Sequence, residues 1–373
     1  MKKILITICT VFLMIAAPVS AFEWGGLISN DTGIQTPDFK NITLNQADGV
    51  SLWFNTPIGA DFALSGEVLY KFKLSKAGSA NAVITNIADL PLLKFSGQTQ
   101  AGSGKLSVSA GRFAYVDNAG AVVSGTIDGA SVDYAFSVVD IGLFAGSSGL
   151  LNTLNNPSLE RADYTKEANI YDMAYAYAPV GLSFELPYLF GNQSLSIQAY
   201  ALLDCGKHET KSNNFYANLA LSGPITNTVY YNLASSAGLI DFKKFMNYSG
   251  FTLLVFPAQT VSINAGAEFT TADDGKLAAF YSPLAAKTGG QLAPKLGFTF
   301  GTDDMCFDLG GKYILQYANS SYAGYGAEIN SSFIYNIFSD LQVGLSFNGF
   351  IDTTADKLEG NRFTANLNIA LAF

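Results

Sequence analysis

Charged residues are scarce in this chain. Lys, Arg, Asp and Glu make up only 14% of its 373 residues, against about a quarter in ordinary soluble domains. Acidic residues outnumber basic ones by 30 to 21, which gives a net charge of −9 at pH 7. Because nucleic-acid binding relies on Lys and Arg to neutralise phosphates, this balance argues against a partner made of DNA or RNA.

Residues that commonly carry catalysis or bind metals are also rare. His208 is the single histidine, so any Ser-His-Asp or Cys-His relay would have to use it, and it falls in a predicted loop. The chain has no G-x-S-x-G motif, and residues 102–105 lack the first glycine of a phosphate-binding loop. Zinc-ligand spacing and an EF-hand loop are missing as well. We predict that the chain is not an enzyme and needs no cofactor or metal.

Long apolar runs are missing after the N-terminus, although 49% of the chain is hydrophobic. Lys2 and Lys3 precede an apolar run at 4–17, and the small residues of 19–21 complete a pattern typical of a cleaved signal peptide. An uncleaved membrane anchor is the alternative. No later run approaches the ~18 residues of a spanning helix. We predict a signal peptide at 1–21 and one domain at 22–373.

Apolar residues recur at every second position instead. Between 62 and 74 the even positions are mostly aliphatic or aromatic, whereas the odd ones include Glu67, Lys71 and Lys73. Because a helix would scatter this period of two around its axis, the pattern predicts strands with one apolar face. Similar stretches reach about a dozen residues, as a tilted membrane strand requires, whereas soluble strands average roughly five or six.

Short turns alternate with longer loops along the chain. Counting two strands for each such repeat predicts an all-β fold, a closed antiparallel transmembrane β-barrel of roughly 16–18 strands within a range of about 14–18. The content of 36 Gly, 19 Tyr and 28 Phe suits such a barrel, whose aromatic residues line the two membrane interfaces. The turns are predicted near 57–59, 101–104, 138–140, 191–192, 223–224, 257–258, 301–302 and 339–340.

The longer segments between strands define the predicted loops. The loop at 148–168 could fold into the barrel and constrict it, or lie on the outer surface, and the sequence leaves both possibilities open. Cys205 and Cys306 are predicted at opposite ends of their strands, too far apart to form a disulfide. The predicted loops are 31–47, 75–86, 116–126, 148–168, 206–212, 237–247, 272–291 and 353–359.

The last strand carries the most specific motif. Its apolar residues alternate with polar or small ones, and the chain ends on an aromatic residue. This strand resembles the C-terminal signal of bacterial outer-membrane β-barrel proteins, which include the porins. The resemblance implies an outer-membrane location, contact with outer-membrane lipid, and handling by periplasmic chaperones and the barrel-assembly machinery. The residues that carry the signal are Phe363, Leu367, Ile369, Leu371 and Phe373.

The polar faces of the strands are the candidate functional surface. If the apolar faces meet lipid, the alternate positions point into a lumen, where charge is far less costly than on the lipid face. Each of these residues could equally be no more than the polar half of its strand. The predicted lumen-facing residues are Glu67, Lys71, Lys73, Glu268, Asp308, Lys312, Glu328 and Asp352, with Gln316, Asn330 and Asn348 beside them.

Three functions remain open at this point. The first is a porin-like channel for passive diffusion of small polar solutes, mildly cation-preferring because of its acidic excess. The second is a transporter for hydrophobic substrates, like the fatty-acid channel families, although segment 22–47 is short for their N-terminal plug. The third is a closed surface barrel whose loops bind host or partner molecules. A homo-oligomer is possible in each case.

Overall fold

The structure, a computed structural model of the chain, describes residues 22–37, 41–147, 177–206, 211–271, 290–318, 321–354 and 361–373. The predicted signal peptide, the predicted loop at 148–168 and His208 lie outside these ranges. Within them, no helix is both long and apolar enough to cross a membrane.

In the described part of the chain, eighteen strands form the architecture, and most of them follow stretches in which apolar and polar residues alternate. They are β1 (Glu23–Thr36), β2 (Thr43–Ile58), β3 (Phe62–Ala77), β4 (Val83–Ala101), β5 (Gly104–Val116), β6 (Ser124–Ala135), β7 (Asp140–Ser147), β8 (Tyr177–Leu186), β9 (Ser194–Asp204), β10 (Asn214–Thr226), β11 (Val229–Ile240), β12 (Lys244–Ala258), β13 (Val261–Thr270), β14 (Gln291–Gly301), β15 (Met305–Ala318), β16 (Ser321–Asn336), β17 (Leu341–Asp352) and β18 (Arg362–Ala372).

The strands close into one antiparallel barrel. Each strand pairs with its neighbours in sequence, and β1 pairs with both β2 and β18, so that Leu27 lies between Ser51 and Ala372. The predicted fold class and the upper end of the predicted strand count are therefore confirmed. Closure gives every strand a paired neighbour on both sides, so the sheet has no free edge strand.

One end of the barrel carries only short turns among the described residues. These connect even-numbered strands to the following odd-numbered ones, and Phe373 lies at the same end, where its backbone exchanges two hydrogen bonds with Gly26. Most predicted turns fall within or beside them. The turn predicted at 223–224 is wrong: both residues belong to β10, and the chain turns at 227–228. A proline is tolerated there because the register shifts between Pro224 and Thr226.

The other end carries the remaining connections, several of which are shorter than predicted. Between 31 and 47 most residues belong to β1 and β2, and the predicted loop at 237–247 contracts to 241–243. Polar residues that point inward at the end of a strand resemble loop residues in sequence. Their backbone nevertheless stays hydrogen-bonded to the neighbouring strand, so the strand is longer than predicted. The tight turn at Asp241 and Phe242 uses positive φ angles of 52° and 55°.

The two faces of the barrel differ as the alternation predicts. Large apolar side chains such as Leu143 (57% exposed), Leu296 (63%) and Leu345 (54%) lie on the outer face.

Cys205, which directly follows β9, and Cys306, near the start of β15, are both free thiols, as predicted.

Candidate functional site

The connection between β5 and β6, residues 117–123, lies inside the barrel and is here called the inward loop. The Asn118 backbone N–H donates to Gln198 Oε1 on β9 (3.2 Å), and Asn118 Nδ2 donates to Ser196 Oγ (3.0 Å). Asn218 Nδ2 on β10 donates to Asp117 Oδ1 (2.9 Å). Because β9 is three strands beyond β6, the loop reaches these side chains only across the enclosed space. Their face is therefore the inner face.

Asp117 fixes the shape of this loop. Its Oδ1 accepts the backbone N–H groups of Ala119 (3.0 Å) and Ala121 (3.4 Å), and its Oδ2 accepts those of Val122 (2.8 Å) and Val123 (2.6 Å). The carboxylate belongs to a residue only 3% exposed. Bonds to an ionised acceptor are stronger than neutral ones, so a single side chain satisfies most of the buried donors of the loop.

Apolar packing attaches the loop to one side of the barrel. Val122 and Val123 are at most 1% exposed and belong to the same core cluster as Tyr200, Tyr216 and Met246 on β9, β10 and β12. Complete burial of a valine side chain is worth about 1.5–3 kcal/mol. The barrel thus has its main hydrophobic core inside, between the inward loop and the wall beneath it.

The core is bordered by an acidic recess at the short-turn side of the loop. Asp133, Asp140 and Glu185, on β6, β7 and β8, line a cavity of about 450 Å³, together with Tyr115 and Phe144. The two aromatic rings stack with centroids 4.1 Å apart. Among the described residues, the structure joins none of these three carboxylates to a lysine or arginine. The sequence analysis missed this group, although Asp133 alternates with Val132 and Tyr134 on β6.

The strand register relates the predicted lumen residues to the inner face. Asn218 lies opposite Ser236, which lies opposite Tyr248, which in turn lies opposite Thr270 on β13. Paired residues on neighbouring strands point to the same face, and the face alternates from one residue to the next along a strand. Applied from Thr270 through β14–β18, β1 and β2 to β3, this rule places all the predicted residues on the inner face. They are Glu67, Lys71, Lys73, Glu268, Asp308, Lys312, Glu328 and Asp352.

Two ion pairs form a row across β13–β16. Lys295 Nζ lies 2.6 Å from Glu268 Oε1, and Lys312 Nζ lies 3.0 Å from Glu328 Oε2. The two lysines are directly opposite each other in the register of β14 and β15. The sequence analysis missed Lys295, because Pro294 interrupts an otherwise clear alternation of Leu292, Leu296 and Phe298. All four charged side chains are between 12% and 27% exposed.

The remaining predicted residues are dispersed. Asp308 accepts hydrogen bonds from the hydroxyls of Thr299 (2.6 Å) and Ser332 (3.1 Å) rather than from a cation. Asp352 lies near the loop end, where its Oδ1 accepts from the Thr354 backbone N–H and hydroxyl. The three residues on β3, separated from β16 by the strands β17, β18, β1 and β2, are not brought together with the ion-pair row.

No protein-family model matches the chain, and no curated protein does so either. Among solved structures, Pseudomonas aeruginosa OccK7 (OpdD) matches with a TM-score of 0.64 at 10% identity, covering 95% of this chain and 99% of that one. The chain has the same fold as this protein. OpdK from the same organism, solved with vanillate, matches with a TM-score of 0.62 at 10% identity, covering 95% of this chain and 99% of that one. The outer membrane protein OprD of P. aeruginosa matches with a TM-score of 0.60 at 10% identity, covering 96% of this chain and 95% of that one.

Proposed function

We propose that this chain is a porin-like channel of the bacterial outer membrane, through which small polar solutes diffuse passively. The observation that carries the proposal is a closed barrel with an apolar outer face, a charged inner face and a loop fixed inside it. A barrel of 18 strands is in the size range that leaves an aqueous channel. The inward loop would narrow this channel on the side of β5–β12, so that the wall of β13–β16 and the acidic recess contact the solute.

Support for the membrane location comes from the outer face. Leu296 on β14 and Leu345 on β17 expose more than half of their side chains there, as lipid-facing residues do. The likeness to OprD, whose structure is described as that of an outer membrane protein, points to the same location. We include in the proposal the cleavage of residues 1–21 and recognition of β18 by the barrel-assembly machinery. Leu367 and Leu371 on that strand and Phe373 directly after it are exposed.

Passive diffusion requires no chemistry from the wall, and the proposal assigns no catalytic residue or cofactor. The vanillate in the OpdK structure supports a small organic molecule as the type of solute. Asp133, Asp140 and Glu185 have no lysine or arginine partner among the described residues. Such carboxylates attract cations, whereas the paired lysines contribute little net field. We therefore retain a mild cation preference as part of the proposal.

The test is electrical recording from the refolded protein, residues 22–373, in a planar lipid bilayer. We expect steady open steps and, under a salt gradient, a reversal potential of the sign given by a mild cation preference. A preparation lacking the protein controls for leaks. Folded barrels that insert without conducting would contradict the channel, and an anion-selective reversal potential would contradict the proposed selectivity alone.

A further inference from the structure

Another cavity of the inner wall lies on β10–β12, near the short-turn end of the barrel, and is here called the neutral pocket. Its volume is about 850 Å³. Ser236 and Tyr248 lie opposite each other on the inner face, and alternation from them places Asn232 and Phe256 on that face too. The strand residues that line the pocket include Ser222, Tyr230, Asn232, Thr252, Leu254 and Phe256.

Two aromatic rings form the apolar part of the pocket. The rings of Tyr230 on β11 and Phe256 on β12 meet edge to face, with centroids 5.7 Å apart. Tyr230 is 37% exposed, and Leu254 and Phe256 are half-buried. Tyr248, further from the short turns on β12, is only 8% exposed and belongs to the core packed against the inward loop. Beyond that core, the inner wall continues as an apolar surface that stays partly open.

The sequence of β12 is unusual at this point, because apolar residues occupy both faces of the strand. Leu253 and Val255 point outward, where lipid contact explains them. Leu254 and Phe256 point inward, toward the proposed aqueous lumen. Leaving apolar side chains in contact with water is unfavourable, so a solute that covers Leu254 and Phe256 gains free energy.

Uncharged polar side chains surround the two rings. Asn232, Thr252 and the turn residue Gln259 line the pocket, and among the described residues none hydrogen-bonds to these three side chains. An amide and a hydroxyl can each donate and accept, so all three are available to a bound molecule. No described residue that lines the pocket carries a charge.

Two other cavities of the inner wall have a different chemistry. The acidic recess contains Asp133, Asp140 and Glu185, and a cavity of about 440 Å³ along the ion-pair row contains Lys295 and Lys312. A charged solute finds an opposite charge at one of these two places. In the neutral pocket it would lose hydration without gaining an ionic partner, so this pocket favours uncharged molecules.

We propose that the neutral pocket binds uncharged aromatic solutes that carry an amide or hydroxyl group, an inference that rests on the proposed channel function. The ring of the solute packs against Tyr230 and Phe256, as aromatic pairs do. Its polar group hydrogen-bonds to Asn232 or Gln259. The volume of the pocket lies within the range of about 300–1,000 Å³ that is usual for small-molecule sites.

Binding of three probes of similar shape tests the site. Benzamide is uncharged, benzoate is an anion and benzylammonium is a cation. Saturation-transfer NMR on the refolded protein, residues 22–373, in detergent gives the dissociation constant of each. We expect Phe256→Ala to weaken benzamide binding about two- to tenfold and to leave the two ions unaffected. Phe251→Ala, on the outer face of β12, is the matched control and should bind benzamide like the wild type. Unchanged benzamide binding in Phe256→Ala, or equal weakening of all three probes, would overturn the proposal.

A change of charge in the pocket provides a second readout. Asn232→Asp introduces a carboxylate of nearly the same size, so benzylammonium should bind several-fold more tightly than in the wild type and benzamide more weakly. Asn348→Asp, on the inner face of β17, should leave benzamide binding unchanged. An Asn232→Asp variant that binds all three probes like the wild type would contradict the site.

Conductance of the same preparations separates the site from the channel. Steady open steps combined with benzamide binding that ignores Phe256→Ala would contradict the neutral pocket alone. Folded protein that does not conduct would contradict the proposed function on which the site rests.

Discussion

The two sides of the barrel interior have the same strand pattern but use their polar groups differently. In the inward loop, the carboxylate of Asp117 is buried and accepts hydrogen bonds from the protein itself. On β13–β16, charged side chains stay partly exposed and pair with one another, as Lys295 does with Glu268. The first arrangement fixes a loop inside the barrel, whereas the second provides a wall with little net charge. The acidic recess on β6–β8 combines partial exposure with carboxylates that no described lysine or arginine pairs with.

This comparison predicts that width and selectivity of the channel are controlled from different places. The inward loop sets the open cross-section. The carboxylates of Asp133, Asp140 and Glu185 set the preference for cations, because no described lysine or arginine neutralises them. The ion-pair row on β13–β16 has the smallest influence on either property.

Removal of the inward loop should have the largest effect. Replacing residues 118–122 by a short Gly-Ser linker deletes the segment packed against β9–β12 and frees that side of the interior. We expect a several-fold rise in single-channel conductance. Replacing 79–82, in the connection between β3 and β4, by the same linker is the control and should leave conductance near the wild-type value. An unchanged conductance of the first variant would mean that the loop does not limit flow.

Asp117→Ala should have the next largest effect. It removes the acceptor of four backbone N–H groups, and each buried donor left without a partner costs roughly 1–3 kcal/mol. We expect the loop to detach, with noisy openings of higher conductance in bilayer recordings. The barrel should still fold, since its strand pairing is unchanged. Asp31→Ala, on the inner face of β1, is the matched control, and equal noise in both variants would contradict the assigned role.

Neutralising the acidic recess should change selectivity without much change in conductance. For the triple variant Asp133→Asn, Asp140→Asn, Glu185→Gln, we expect the reversal potential in a salt gradient to move toward zero. Each change removes a charge and keeps a side chain of similar size. A reversal potential equal to that of the wild type would place the selectivity elsewhere.

Neutralising one lysine of the ion-pair row should have the smallest effect. Lys295→Met releases Glu268 from its pair, which makes the wall slightly more acidic and moves the reversal potential modestly toward cation preference. The loss of stability should be about 1 kcal/mol or less, because the pair is partly exposed. Denaturant unfolding followed by tryptophan fluorescence measures the stability. A selectivity change larger than that of the recess variant would reverse the proposed ranking.

The sequence predicts the barrel well because its period of two is a local property. Strands such as β3 and β17 show the pattern without help from their neighbours. Turn positions were less accurate, since Pro224 is accommodated by an irregular strand end that no local pattern announces. Polar inner positions at strand ends also led to predicted loops that were too long.

The inward loop could not be assigned in the same way. Its contacts join Asp117 to Asn218, which lies 101 residues further along the chain, so the pairing depends on barrel closure. The available signal was the run of Ala121, Val122 and Val123 inside a predicted loop, since apolar residues in a loop need a surface to cover them. The prediction that a loop could constrict the barrel was placed at 148–168, outside the described residues.

The most direct test of the account asks whether the tip of the inward loop lies in the path of ions. A Cβ atom added at Gly120 would have no neighbour within 4 Å, and the same is true of Gly78 in the connection between β3 and β4. Both have positive φ, 61° and 50°, so Gly120→Cys and Gly78→Cys carry similar strain in a Cys205→Ser, Cys306→Ser background. A charged thiosulfonate added during recording should form a disulfide with the thiol and block current stepwise through Gly120→Cys but not through Gly78→Cys, and dithiothreitol should restore the current by reducing that disulfide. Complete modification of Gly120→Cys with unchanged current would contradict the account.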